Sequence, residues 1–315
     1  MKVKVAVVQA ESEWGEEEYK NAFQCLKYLE EAAATGAKVI AFPEGYPGPS
    51  HGPMDSAGKL PKPPIQMVAE KAKELKVYVA ASNVEENTKI PGTYFLSQKL
   101  ISPSGEIIAN HRRVQPDEPD LNEYLFNGKR DMVPGDDVTV VDTEYGKIGL
   151  LICSELWVPE LVRMEMLMGA EIIICPRNGF HHIRPNDCME TWYAMCHARA
   201  AENMIYVMLT QNIFVKEYRN YGYANITGPE HIIAKLTGPG VLTAELDMER
   251  LRNLRKHSYS WDFLGTGMPP DLEPPLGCRP GQHVLRRPEI YSRLLQPLPT
   301  DYDYWYFLKE GKQPR

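Results

Sequence analysis

The 315-residue chain has no CxxC pair and no Cys/His spacing of the kind that holds zinc; its six cysteines are scattered singly. This excludes a zinc framework and a disulfide framework, and points to free thiols in a reducing compartment. An excess of one charge is also missing. Lys and Arg number 35 against 42 Asp and Glu, a net of -7, with no block of like residues. Neither nucleic acid nor an anionic membrane surface is the partner such a balance suggests. No apolar run approaches the roughly 20 residues that a membrane span needs. The opening MKVKVAVVQA has no signal-type apolar core followed by a cleavage site. A cytoplasmic protein with a small molecule as its partner is the expectation.

What is present is a long series of apolar runs. VKVAVVQA (3–10), AKVIAFPE (37–44), VYVAAS (77–82), KIGLLIC (147–153), AEIIICP (170–176) and MIYVMLTQN (204–212) read as buried strands. Helical spacing fills 16–35, 64–75, 158–169 and 188–203, and Gly36 and Gly169 stop two of these segments. TYFLSQKLIS and EIIANHRRV flank the turn PSG, and VTVVDT meets KIGLLIC across EYG, as antiparallel hairpins do. Strand–helix–strand units mixed with hairpins predict a pair of mixed sheets with helices outside. Proline and glycine crowd residues 262–288, which reads as an irregular excursion. Residues 1–299 are expected to form a single domain, with 300–315 as an aromatic, acidic tail packed at a subunit interface.

Ligands of open α/β sheets bind where strands end and loops gather side chains. Glu44, Arg113 and Cys153 all stand at such ends. Cysteine is a small hydrophobe, and alone Cys153 would read as core. At a strand end before a helix, a thiolate would gain partial positive charge, and the Ser154 N–H would be free to hold an oxyanion. Glu44 could take the thiol proton and later return it to a leaving amine. Cys175 also ends an apolar run, but Pro176 follows and has no N–H to donate. Arg177 lies past the neighbouring strand, either as a clamp for a substrate carboxylate or in a structural ion pair. Trp157 either lines the pocket or anchors the core, and Arg199, Glu202 and Asn203 suggest an internal hydrogen-bond network. His181 and His182 read as exposed loop residues.

Several blocks together resemble the nitrilase superfamily of carbon–nitrogen hydrolases: VAVVQA, GAKVIAFPEGYPG, ISPSGEIIANHRRV, YGKIGLLICSELWVPE, MGAEIIICP, WYAMCHARAAENMIYV and LRRPEIYSRLL. The resemblance implies a four-layer α-β-β-α sandwich, pairing into a homodimer, and a cofactor-free Glu-Lys-Cys triad with no metal. Carried over by motif, Glu44 is the base and Cys153 the nucleophile. Arg113 stands where the family carries lysine. Three readings are open for this departure: Arg113 clamps the oxyanion, Lys129 reaches in from the next loop, or the protein binds without efficient catalysis. The first is favoured because Glu44 and Cys153 both persist in full motif context. A second family glutamate, which orients the attacked group, matches Glu123 in DLNEYLFNG, with Glu118 as the fallback.

The resulting expectation is hydrolysis of a non-peptide carbon–nitrogen bond, in an amide or an N-carbamoyl amine, through a cysteine thioester. Ser154 directly after the nucleophile favours an amidase over a nitrilase, where tryptophan is usual in the family. A nitrile-converting enzyme and a catalytically weak binding or regulatory subunit remain the alternatives.

Overall fold

Successive side chains of the first strand face different partners. A computed structural model of the chain describes residues 1–55, 58–115, 130–178, 185–214, 222–257 and 286–296. In β1 (Lys2–Ser12), Val3, Val5 and Val7 enter one buried cluster while Ala6, Val8 and Ala10 enter another. A strand covered on both faces needs apolar residues at every position, hence the unbroken run VKVAVVQA.

Next to β1 lie β2 (Val39–Ala41), β3 (Tyr78–Glu86), β4 (Thr93–Ile101) and β5 (Ile107–Arg112), in the spatial order β5-β4-β3-β2-β1. A two-residue strand, β6 (Asp131–Met132), pairs with β4. The second half of the sandwich holds β7 (Thr139–Thr143), β8 (Gly146–Leu150), β9 (Ile172–Arg177), β10 (Tyr206–Phe214), β11 (Ala224–Thr227) and β12 (Ile232–Leu236), each paired with the next. β13 (Gly240–Asp247) returns to pair antiparallel with β1. The two halves are joined at a corner, where Gln9–Ser12 of β1 pairs with Gln211–Phe214 of β10.

Three clusters show the layers. The inner one brings Val5, Val39 and Leu100 of one half against Ile148, Ile172 and Met208 of the other. The helices α1 (Lys20–Ala34) and α2 (Pro64–Leu75) cover the outer face of the first half through Cys25, Leu29, Val68 and Ala72. The helices α3 (Pro159–Leu167) and α4 (Pro185–Asn203) cover the second through Val162, Met166, Trp192 and Cys196. The order is α-β-β-α, as expected. A fifth helix, α5 (Met248–His257), sends Met248 and Leu251 into the inner cluster. Each such fully buried aliphatic side chain contributes roughly 1.5–3 kcal/mol, so the strand ends that carry the site are fixed by a core on both faces.

One helical segment starts later than periodicity suggests, and another is preceded by a turn that periodicity does not show. The segment expected over 16–35 opens as a short 3-10 turn, Gly15–Glu17, before α1 begins. Asn21 holds that junction, accepting from the Glu13 N–H at 2.8 Å and donating to its carbonyl at 3.0 Å. The helix expected after Cys153 is preceded by a 3-10 turn, Cys153–Trp157, and α3 starts at Pro159, whose missing N–H suits a first helical position.

Contacts divide the chain into two units, Met1–Gly281 and Gln282–Arg315. The described part of the second is a 3-10 segment, Pro288–Leu295, where Arg287 pairs with Glu289 at 2.6 Å. The proline-rich stretch before residue 286 and the aromatic tail lie outside the described residues. Among the described residues, no helix is long and apolar enough to cross a membrane.

Candidate active site

β8 ends at Leu150, and two residues later Cys153 takes φ +54°, in the left-handed region that few non-glycine residues occupy. Such a conformation turns a strand sharply and is sustained only where surrounding bonds over-determine it. Here they come mainly from Glu155. Its Oε2 accepts the Ile152 N–H at 2.7 Å and pairs with His111 Nε2 at 2.8 Å. Its Oε1 accepts the N–H groups of Val114 at 2.7 Å and Gln115 at 3.1 Å. Both Glu155 and His111 are fully buried. Burial pushes the Glu155 carboxyl up, yet His111, Arg113 and the Ile152 amide outweigh it and hold the group below the ordinary carboxylate range. A carboxylate only accepts, so His111 Nε2 carries the proton.

The far end of the same turn is fixed by α4. Arg199 donates from Nε to the Leu156 carbonyl at 2.9 Å and from Nη2 to that of Trp157 at 3.1 Å, while its Nη1 pairs with Glu202 at 2.9 Å. Asn203 closes the network by donating to the Arg199 carbonyl at 3.0 Å.

Glu44 follows β2, at the end of FPE, and is buried. Its Oε2 accepts the Asn178 N–H at 2.6 Å, its carbonyl accepts from Asn212 Nδ2 at 2.7 Å, and its Oε1 lies 3.6 Å from Arg113 Nη1. Gly45 next to it has φ +66°, and a Cβ there would meet the Ser50 side chain, so the chain can leave the site only through a glycine. Arg113, directly after β5, is buried as well. It donates from Nε to the Gln115 carbonyl at 2.8 Å and from Nη2 to Ser154 Oγ. One guanidinium thus joins Glu44 to the residue after Cys153.

These positions correct one sequence expectation about the thiol. A five-residue 3-10 turn carries little of the aligned dipole an α-helix would supply. The nearby positive charge is Arg113, bonded to Ser154. The Cys175 thiol sits beneath the turn with its Sγ 3.5 Å from the Cys153 carbonyl. Burial first, then Cys153, Cys196, Glu155 and Glu44, push that thiol well above the ordinary range, so Cys175 stays protonated. Cys153 itself is half-buried beside an apolar floor of Val84, Leu96 and Ile152.

Of the residues singled out in the sequence, Glu44, Arg113, Cys153 and Ser154 are gathered at one end of the sandwich. Arg177 ends β9, one residue before the Asn178 amide that Glu44 accepts. Trp157 is 44% exposed rather than a buried anchor, with its ring edge-on to Trp192 at 5.4 Å. Glu123, Glu118, Lys129, His181 and His182 lie outside the described residues. Missed from sequence were Glu155, His111, Asn178 and Asn212, which position the others. The available signal was the carboxylate of CSE, two places after the thiol.

A sequence model of the carbon-nitrogen hydrolase family matches residues 4–256. The chain belongs to the carbon–nitrogen hydrolase family. Among curated relatives, this hydrolase is 26% identical over 244 residues to the omega-amidase NIT2-A of Xenopus laevis, covering 75% of this chain and 86% of that one. It is 26% identical over 271 residues to the omega-amidase NIT3 of Saccharomyces cerevisiae, covering 81% and 90%. Its fold matches a carbon–nitrogen hydrolase from Helicobacter pylori with a TM-score of 0.74 at 23% identity, over 95% of this chain and 100% of that chain. As a carbon–nitrogen hydrolase it is an enzyme. Among the described residues, no group of three or more His, Cys, Asp or Glu is placed to hold a metal ion.

Proposed function

We propose that this carbon–nitrogen hydrolase cleaves a small amide or N-carbamoyl amine, with Cys153 as nucleophile, Glu44 as base and Arg113 as oxyanion clamp. The observation that carries the reading is the Arg113 guanidinium, held between Glu44 and Ser154 at the turn bearing the thiol. Glu44 takes the Sγ proton as sulfur attacks the carbonyl carbon, and the C=O electron pair moves onto oxygen. Arg113 and the Ser154 N–H hold that oxyanion. Collapse expels ammonia or an amine, which leaves with the proton from Glu44, and a thioester remains. Water, deprotonated by Glu44, then opens the thioester, releasing the acid and restoring the thiol. An oxyanion donor of this kind is worth about 2.7–4 kcal/mol. Arginine keeps its charge at any working pH, so it stabilises without donating the proton.

Glu123 is assigned to orient the attacked group, and Trp157 and Arg177 to line the substrate site. Amides are favoured over nitriles by Ser154 after the nucleophile and by the relatives named as omega-amidases. A homodimer is part of the reading, supported by exposed Met164, Leu167 and Met168 about α3; the tail 300–315 is assigned to its interface. The free Cys25, Cys153, Cys175 and Cys196 agree with a cytoplasmic setting.

The test is ammonia release across amides, N-carbamoyl amines and nitriles, with Cys153→Ala as the control. Turnover of an amide or ureide that Cys153→Ala abolishes, with hydroxylamine diverting the acyl group to a hydroxamate, supports the mechanism. Arg113→Lys should fall at least tenfold, because the short ammonium cannot reach Glu44 and Ser154 together. General amidase activity gained by Arg113→Lys, from a parent that has none, sinks the clamp.

A further inference from the structure

Glu18 is a buried carboxyl group that the proposed mechanism does not use. It stands just before α1 and is 4% exposed. Its Oε1 accepts the N–H of Ser50 at 2.9 Å and of His51 at 3.2 Å. Its Oε2 accepts His51 again, at 3.0 Å, and Gly52. Three successive backbone amides thus converge on one carboxyl group, the concave arrangement that binds anions in many proteins. The loop has room for nothing larger: a Cβ on Gly52 would lie 2.6 Å from Glu18 Oε2, and one on Gly48 would lie 3.2 Å from its Oε1. Arg130 adds positive charge nearby and donates from Nη2 to the Gly52 carbonyl.

The loop so held is the one that leaves Glu44, and it bears on the site by two routes. Ser50 packs directly on Gly45, its Oγ filling the place a Cβ would take, so its position decides where the residue after Glu44 can lie. His51 stacks on Trp14 with ring centroids 3.5 Å apart. Trp14 in turn packs on the Val84, Leu96 and Ile152 cluster that floors Cys153. Fixing residues 50–52 therefore fixes the surroundings of both the base and the nucleophile. A small cleft also reaches Glu18, lined by Tyr19, Pro47, Pro49 and Pro53 and by the exposed Glu16 and Lys59.

We infer that residues 50–52 form an anion nest filled by the chain's own Glu18, and that Glu18 is thereby a positioning residue for the reaction. It acts through Ser50 on Glu44, and through His51 and Trp14 on the floor beside Cys153. Removing it empties the nest: three N–H groups lose their acceptor, and the loop moves to find others. A displacement of about 1 Å near the chemistry costs about 100-fold in rate, and Glu44 carries a proton in every step. This rests on the amidase reading of Cys153 and Glu44 and adds the residue that seats the base.

The experiment is chemical rescue, with formate as the probe. Glu18→Ala leaves a carboxylate-sized space at the end of the cleft. With an amide that the parent hydrolyses, the variant should lose at least tenfold in kcat, with a smaller change in KM. Formate should raise that kcat at least fivefold and leave the parent unchanged, whereas benzoate, too large for the space, should do nothing. Asn21→Ala, which loosens the same connection at Glu13 without emptying the nest, should gain nothing from formate. A kcat loss below tenfold, no recovery with formate, or equal recovery with benzoate or in Asn21→Ala overturns the positioning role. A second readout needs no turnover: by mass spectrometry, the amides of 50–52 should exchange hydrogen at least tenfold faster in Glu18→Ala than in the parent, and formate should slow them again. Exchange equal to the parent's overturns the nest. If the parent cleaves no amide yet exchange responds in this way, the nest stands and the amidase reading falls. If Glu18→Ala does not fold, Glu18→Gln replaces it, read by exchange alone. Its NH2 faces amide donors, so 50–52 should again exchange at least tenfold faster, and protection equal to the parent's overturns the nest.

Discussion

Replacing Glu155 by glutamine removes one negative charge from a point where four donors converge: the N–H groups of Ile152, Val114 and Gln115 and the Nε2 of His111. Glutamine offers one carbonyl oxygen, which serves one pair of donors, and its NH2 then faces the other pair. Each hydrogen bond to a charged acceptor is worth about 1.5–3 kcal/mol, so two lost bonds amount to about 3–6 kcal/mol. Glu155 is fully buried, so solvent screening does not reduce that figure. The Ile152 amide adjoins Cys153, and a displacement near 1 Å at the thiol costs about 100-fold in rate. Urea unfolding at pH 7, read for midpoint and slope, gives the first quantity, and ammonia release gives the second. The pH dependence has a definite sign. The folded-state carboxyl lies below its ordinary range, so its stabilisation is present above about pH 4.5 and lost as pH falls through the lower folded value. The stability difference between parent and variant should therefore shrink in acid. A loss under about 1 kcal/mol with unchanged turnover would refute the positioning role.

Glu18 moves the other way: burial, set against the amides of Gly52, Ser50 and His51 and the charge of Arg130, pushes its carboxyl up to about 7. The folded chain then keeps a proton that the unfolded chain has released, so stability should fall by about 3 kcal/mol between pH 4.5 and 7. Glu18→Gln should flatten that slope in urea titrations; a parent curve that rises relative to the variant would contradict it. Iodoacetamide near neutral pH should modify Cys153 and spare Cys175 and Cys196, the latter pushed by burial up to about 12; mass spectrometry showing equal labelling of Cys153 and Cys175 would remove the case for an activated thiol. Arg199→Met frees the carbonyls of Leu156 and Trp157 and should cost about 2–4 kcal/mol along with most of the turnover. Full activity in folded Arg199→Met would show that the turn holds itself.

Arg113 follows the mixed, largely exposed strand IIANHR and stood out through its motif, whereas the strand-end places of Glu44 and Cys153 were legible because unbroken apolar runs lead up to them. The layered fold was legible for the same reason, helped by Gly36 and Gly169 at helix stops. Less was visible where a local pattern has two outcomes. Periodicity over 158–169 does not say whether the chain first makes a 3-10 turn, although Pro159 marks where α3 can begin. The partnerships of Glu155 with His111 and of Glu44 with Asn178 and Asn212 were not legible. They span 44, 134 and 168 positions, and arise only when separate strands dock. The buried Nε and Nη1 of Arg177, which have no acceptor among the described residues, are likewise invisible in a string of letters, because a missing partner is a property of packing.

The corner where β1 meets β10 has a consequence for how activity arises. Glu44 comes from one half of the sandwich and Cys153 from the other, while Asn178 and Asn212, on the second half, grip the glutamate of the first. On the proposed mechanism, neither half alone holds both the base and the nucleophile. Recovery of turnover during refolding therefore reports the mating of the halves, later than any signal of helix or strand formation.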